Sequence, residues 1–264
     1  MFPYAELSPG QRQIRLTRAI ALSENARLDK NGIGMQKERT LHSVIKSYLE
    51  PDVDQQEIPI GPYVADIYHR SPPEALEVQT GNFGPLRDKL ESFLAEFPVT
   101  VVHPIPWHTT VYWSDPGTGE MSKGHRSPRV GRLYEILPEL YRVSGLLGHP
   151  GLTFMPMLVD VEEYRLMDGW SRGGKRGAHR IDRIPVAIGE CRLLQTAADY
   201  LDLLPPLPDT FTAAEYGRST RFGGRALSYS LMALRRLGVV EQAGRKGRSN
   251  LYRLTDSRLS SYKS

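Results

Sequence analysis

Only one cysteine, Cys191, occurs among the 264 residues. A lone thiol excludes an internal disulfide framework and a zinc centre built from cysteines, and it fits a reducing cytoplasm. Long apolar runs are missing too. Without a stretch of about 18 apolar residues, no membrane span and no membrane partner are expected. The opening MFPYAELSPGQRQIRLTR lacks the uninterrupted apolar core and small-residue cleavage site of a secretion signal. There is no Walker or dinucleotide glycine pattern, no nucleophile elbow around Ser228 and Ser230, and no internal repeat. His42, His69, His103, His108 and His125 are scattered without metal-ligand spacing, which favours packing or surface roles.

What is present is ordinary in bulk and uneven in distribution. Hydrophobic residues make up 40% and charged residues 24%, enough for one or two domains with a buried core. Residues 165–264 hold 18 Lys/Arg against 9 Asp/Glu, a net of +9; the preceding 164 hold 16 against 21, a net of −5. A basic C-terminal third beside an acidic remainder points to a polyanion bound by the former, or to uneven solvated charge.

Periodicity supplies the elements. Ser8-Pro9 starts a short helix to about Ser23, part of an N-terminal extension over residues 1–34. Gln36–Leu49 carries Leu41, Val44, Ile45, Tyr48 and Leu49 on one helical stripe. Glu57–Ile60, Tyr63–Tyr68 and Leu76–Thr80 read as strands, and Phe83–Phe97 as a helix closed by Pro98. Val99–His103 reads as a buried strand, and Trp107–Trp113 as another strand. Val130–Tyr141 reads as a helix and Leu152–Tyr164 as a strand. The fold class expected is α/β, with a mixed-sheet core over residues 35–165. Residues 166–207 form a basic connector and helix, in which Gly169–Arg183 is an exposed segment. Its Arg172, Lys175, Arg176, Arg180 and Arg183 form a strand-clamping loop or a solvated connector.

The most informative stretch is Tyr63-Val-Ala-Asp66-Ile-Tyr-His69, a turn, then Ala75-Leu-Glu77-Val-Gln79. Each strand of this hairpin carries a carboxylate. Their odd spacing leaves the turn to decide whether they meet. If they meet, Asp66 and Glu77 make a hard oxygen site suited to Mg²⁺ or Mn²⁺. This helix–hairpin–helix layout resembles the PD-(D/E)XK nuclease superfamily, whose signature is Asp on one strand and Glu-X-Lys on the next. Glu77-Val-Gln79 departs from it by Gln for Lys, and so resembles the Glu-X-Gln bacterial competence-associated nuclease-like proteins. LEVQTGNFGPLRDKLESFL…VTVVHPI further resembles a bacterial family joining a nuclease-like domain to a winged helix. The resemblance implies a restriction-endonuclease-like core that cleaves nucleic acid. Asp66 and Glu77 would hold the metal, Glu38 on the first helix would be a third ligand, and Gln79 would orient water. Lys89 would reach back as a displaced cation. Gln79 brings no positive charge, which keeps open a non-catalytic DNA-binding regulator.

The last unit, residues 208–264, begins a helix at Thr210 or Thr212. It continues through Arg225–Leu237 and ends in strands Val239–Gln242 and Leu251–Leu254 around the turn AGRKGRS. Two helices and a basic-tipped hairpin resemble a winged helix-turn-helix, which implies a nucleic-acid partner, DNA or RNA, with DNA the first expectation. Arg218, Arg221 and Arg225 at the helix start, and Arg245, Lys246 and Arg248 on the wing, would contact phosphates. A homodimer, and a protein adaptor using both units, are further readings.

Overall fold

The computed structural model describes residues 7–29, 40–115, 117–167 and 179–255. Two helices open the chain, α1 (Pro9–Asp29) and α2 (Thr40–Leu49), followed by β1 (Gln56–Ile60), β2 (Tyr63–Arg70) and β3 (Pro73–Val78). After a 3₁₀ turn at Gly84–Leu86 come α3 (Arg87–Leu94), β4 (Val99–Ser114) and the short β5 (His125–Arg126). The four-residue α4 (Leu137–Leu140) lies between 3₁₀ segments Leu133–Ile136 and Tyr141–Leu146, ahead of β6 (Leu152–Leu166), β7 (His179–Cys191) and α5 (Ala197–Asp202).

These strands form one seven-stranded mixed sheet ordered β1-β2-β3-β4-β6-β7, with β5 on the edge of β4. β3, β4 and β6 run parallel, whereas β2 and β7 run against their neighbours. The parallel strands are covered on both faces, as such sheets must be. Alternation sends Leu76, Val78, Val102 and Met155 to a core under α1 and α2, and Ala75, Val101 and Phe154 to a larger core under α3 and α4.

Several sequence expectations differ from the structure for identifiable reasons. The segment expected as an N-terminal extension supplies α1, whose Leu16 and Ala19 are buried against α2. Arg12 Nη1 donates to the Gly189 carbonyl at 2.6 Å, fastening α1 to β7. The two strands expected at Val99–His103 and Trp107–Trp113 are one, β4, because its partner β6 follows it through an irregularity between Pro106 and Thr109. The helix expected at Val130–Tyr141 is divided into the 3₁₀ turn Leu133–Ile136 and the four-residue α4, with Pro138 in its first turn, and α3 is shorter than the expected Phe83–Phe97. Arg180 and Arg183, expected in an exposed segment, lie on β7. Arg183 Nε donates to the buried carboxylate of Glu163 at 2.6 Å, so it holds the sheet rather than a loop. Arg172, Lys175 and Arg176 lie outside the described residues.

A C-terminal unit follows: β8 (Thr210–Thr212), α6 (Ala213–Thr220), α7 (Gly224–Arg236), β9 (Val240–Lys246) and β10 (Ser249–Leu254), with a sheet ordered β8-β10-β9. Thr212 is the N-cap of α6, and Glu215 returns the bond in a capping box. Arg221, in the left-handed conformation at φ 61°, closes that helix. Phe211, Tyr216, Leu231, Leu234 and Val239 join the larger core. The Tyr141–Tyr229 stack, 4.4 Å between centroids, and the edge-on Tyr134–Phe222 pair clamp the unit to the segment around α4. Among the described residues no helix is long and apolar enough to cross a membrane.

Candidate functional site

The β2–β3 register pairs Ile67 with Leu76, so Asp66 and Glu77 stand opposite each other where the two strands begin to part. Asp66 Oδ2 accepts the Val78 amide at 2.8 Å, and Glu77 Oε1 accepts the Asp66 amide at 3.2 Å. Each carboxylate is thus fixed by the backbone of the other's strand. Helices complete the cluster from opposite layers. Lys89, on α3, donates its Nζ to Glu77 Oε2, while His42 Nε2, on α2, lies 3.2 Å from Asp66 Oδ2.

Burial makes this cluster electrostatically tense. The Glu77 side chain is 2% exposed, that of Lys89 14% and that of Asp66 20%. Burial, then the Asp66 charge beside it, pushes the Glu77 carboxyl up to about 7, and Lys89 only partly offsets this. Burial also pushes Asp66 up, but the hydrogen bond and charge of His42, with Lys89 and the Val78 amide, outweigh it. Asp66 is therefore held below the usual carboxylate range. One carboxyl is ready to hold a proton near neutrality and the other stays ionised, the divergence expected of two acids in one pocket.

The structure therefore brings together Asp66, Glu77 and Lys89. Gln79 is different. Its backbone amide extends the ladder to the Val102 carbonyl, while its side-chain Nε2 donates to the Asn82 carbonyl at 2.5 Å. That bond holds the loop leading to α3 and turns the amide away from the expected water-orienting role. Glu38 lies outside the described residues. His42, expected to pack or face solvent, instead bonds Asp66. Its only sequence signal is its position on the helix that covers the hairpin.

The donor chemistry is compatible with Mg²⁺ or Mn²⁺. Two carboxylates that repel one another are relieved by a cation, and magnesium commonly takes one or two carboxylates and completes its shell with water and phosphate oxygens. Among the described residues no group of three or more His, Cys, Asp and Glu is arranged to hold a metal. A metal here would rest, among the described residues, on Asp66 and Glu77, in competition with the Lys89 ammonium. Elsewhere, a pocket of about 360 Å³ opens at the turn end of the hairpin beside His69, Arg70 and Glu74. It does not contain the carboxylate pair.

The six C-terminal cations are all exposed: Arg218 on α6, Arg221 after it, Arg225 on α7, then Arg245, Lys246 and Arg248. Arg245 and Lys246 lie on β9 rather than in the expected long turn, because β9 and β10 pair up to Lys246 and Ser249 and leave only Gly247-Arg248 between them. Both Arg218 and Lys246 act electrostatically on Glu215, so helix and hairpin present their charge on neighbouring surface.

Fold and site together define a mixed α/β protein with a buried carboxylate pair between strands β2 and β3 and a basic C-terminal unit. Matching over residues 39–195, the chain belongs to the family described as Domain of unknown function (DUF8091). It is also 26% identical over 220 residues to an uncharacterized protein of Treponema pallidum (strain Nichols), covering 82% of this chain and 85% of that one. No solved structure matches it.

Proposed function

We propose that the protein is a metal-dependent phosphodiesterase of the PD-(D/E)XK type, acting on nucleic acid, with DNA the expected polymer. The observation that carries this is the meeting of Asp66, Glu77 and Lys89: two carboxylates from adjacent strands with an ammonium on one of them. Lys89 supplies from α3 the positive charge that Gln79 lacks. A bound Mg²⁺ or Mn²⁺ would supply charge neutralisation at the phosphate and a more acidic water. The chain's own residues do the rest. Val78 N–H and His42 hold Asp66 ionised and oriented, and Glu77, titrating near neutrality, is suited to exchange a proton. Lys89 is positioned to stabilise negative charge that builds up beside Glu77.

The C-terminal unit supports a winged-helix reading. It has a helix, α5, before a short strand, then two helices and a two-stranded hairpin whose second strand pairs with that short strand. Its exposed cations suit phosphate contacts whose strength falls with salt. Purified protein incubated with plasmid and Mg²⁺ or Mn²⁺ tests the proposal. Nicking or linearisation is expected, with loss in Asp66→Ala and Glu77→Ala. Cleavage that survives both substitutions removes these residues from the chemistry.

A second reading, a DNA-binding regulator without turnover, is favoured by the side chain of Gln79 being committed to Asn82. It predicts salt-sensitive binding without cleavage, and a gain of cleavage in Gln79→Lys.

A further inference from the structure

Between Met121 and Arg132 the sequence runs MSKGHRSPRVGR, four Lys/Arg and a histidine with no acidic residue. Its course is set by β4. β3 stops pairing with β4 at Val102, whereas β4 continues to Ser114. On the edge that β3 vacates, the segment runs back along β4. Met121 bridges Ser114, His125 and Arg126 pair with Val111 and Thr110, Ser127 N–H donates to the Thr109 carbonyl, and Gly131 N–H to that of Trp107. It is pressed close. A Cβ on Gly131 would lie 2.0 Å from the Pro106 carbonyl oxygen, and one on Gly124 2.8 Å from the Tyr112 ring. The bond at Trp107 is five strand residues beyond Val102, about 17 Å along β4 from the end of β3. Glu77 stands one residue before that end.

The cations on this strap face outward. Lys123, Arg126, Arg129 and Arg132 are exposed, and among the described residues only Arg129 forms an ion pair, with Glu135 at 2.5 Å. Beside them the Trp113 and His125 rings lie 6.2 Å apart. At the other end, Arg132 and Arg221 both act on Tyr134, so the strap's cations approach those of the C-terminal unit.

We propose that Lys123, Arg126 and Arg132 form a phosphate-binding strap that carries a nucleic-acid backbone along the β4 edge, its Arg132 end leading toward the carboxylate site and the C-terminal unit. Charge complementarity selects a polyanion. The aromatic rings among the cations, and the proposed hydrolytic site about 17 Å beyond the strap's Gly131 bond, favour nucleic acid over an anionic lipid surface. This rests on the proposed function, but its test does not need turnover.

Binding of a fluorescein-labelled 20-nucleotide DNA, single-stranded and duplex, is measured by anisotropy in EDTA across a salt series. The variants are Lys123→Ala/Arg126→Ala/Arg132→Ala and the charge-keeping Arg126→Lys/Arg132→Lys. The triple variant is expected to bind at least about tenfold more weakly. Its log–log salt slope should be shallower by about 2 to 3, near one for each phosphate that is no longer neutralised. The Lys variant should bind within about threefold of wild type. Should the triple variant fail to melt cooperatively, Arg126→Ala alone decides, with a slope shallower by about 1. Unchanged affinity and slope in a folded variant overturn the strap. So does loss of binding to phosphatidylserine vesicles with DNA binding intact. Strap-dependent binding without any metal-dependent cleavage would sink the phosphodiesterase and leave the strap standing.

Discussion

Lys89→Met removes one ammonium and keeps an unbranched apolar stem beside the Phe93 ring, whose centroid lies 5.6 Å from Lys89 Nζ. In the wild type Glu77 titrates at about 7 when folded, against an ordinary value of 4.5. A carboxyl raised in this way binds its proton more tightly folded than unfolded. Its contribution is therefore full below pH 4.5 and is lost as pH rises through the folded value. Stability should fall from about pH 4.5 to 7 at about 1.4 kcal/mol per pH unit from this group, and then level off. Loss of an adjacent opposite charge raises a carboxyl by about 1 to 3 units. In the variant the decline should thus continue to about pH 8 to 10, adding about 1.4 to 4 kcal/mol to the difference between the proteins. At pH 5, where Glu77 is protonated in both, the substitution should cost little. Urea unfolding of both proteins at each pH from 5 to 9 measures the difference directly, because groups remote from the site cancel. Stability curves that stay parallel over that range would refute the coupling of Lys89 to Glu77.

Leu16→Ala should cost about 2–5 kcal/mol in chemical denaturation, since Leu16 is fully buried under α2; a cost below about 1 kcal/mol would make α1 dispensable to the fold. Thr212→Ala, which removes the capping box of α6, should lower stability by about 1 kcal/mol, and Thr212→Ser should recover most of it. Arg245→Ala/Lys246→Ala/Arg248→Ala should weaken DNA binding about equally for unrelated sequences and flatten its salt dependence. A loss confined to one sequence would instead assign the wing a base-reading role.

Much of the central sheet was legible because its signals are local. Tyr63–Tyr68 is the body of β2, Leu152–Tyr164 nearly all of β6, and Glu57–Ile60 all but one residue of β1. The helix stripe Leu41–Leu49 shows its burial in its own spacing. β7 was not legible. Its residues 179–183 follow a Gly- and Arg-rich stretch that lacks any strand pattern, and it is an edge strand whose conformation comes from pairing with β6. β8, three residues long, exists only because β10 returns alongside it.

Asp66 and Glu77 as a candidate pair, Lys89 as a cation on the following helix, and the basic tail could be read from residue type and order. Three things could not. The register of β2 on β3 decides that the two carboxylates face each other, since a slip of one residue would turn either to the opposite side of the sheet. The loop at Asn82 takes the side chain of Gln79 away from them. α2 brings in His42 from 24 residues upstream of Asp66. A sequence specifies which chemical groups a chain carries, but a shared pocket forms only through contacts distant in the chain, and burial within that pocket drives their ionisation apart.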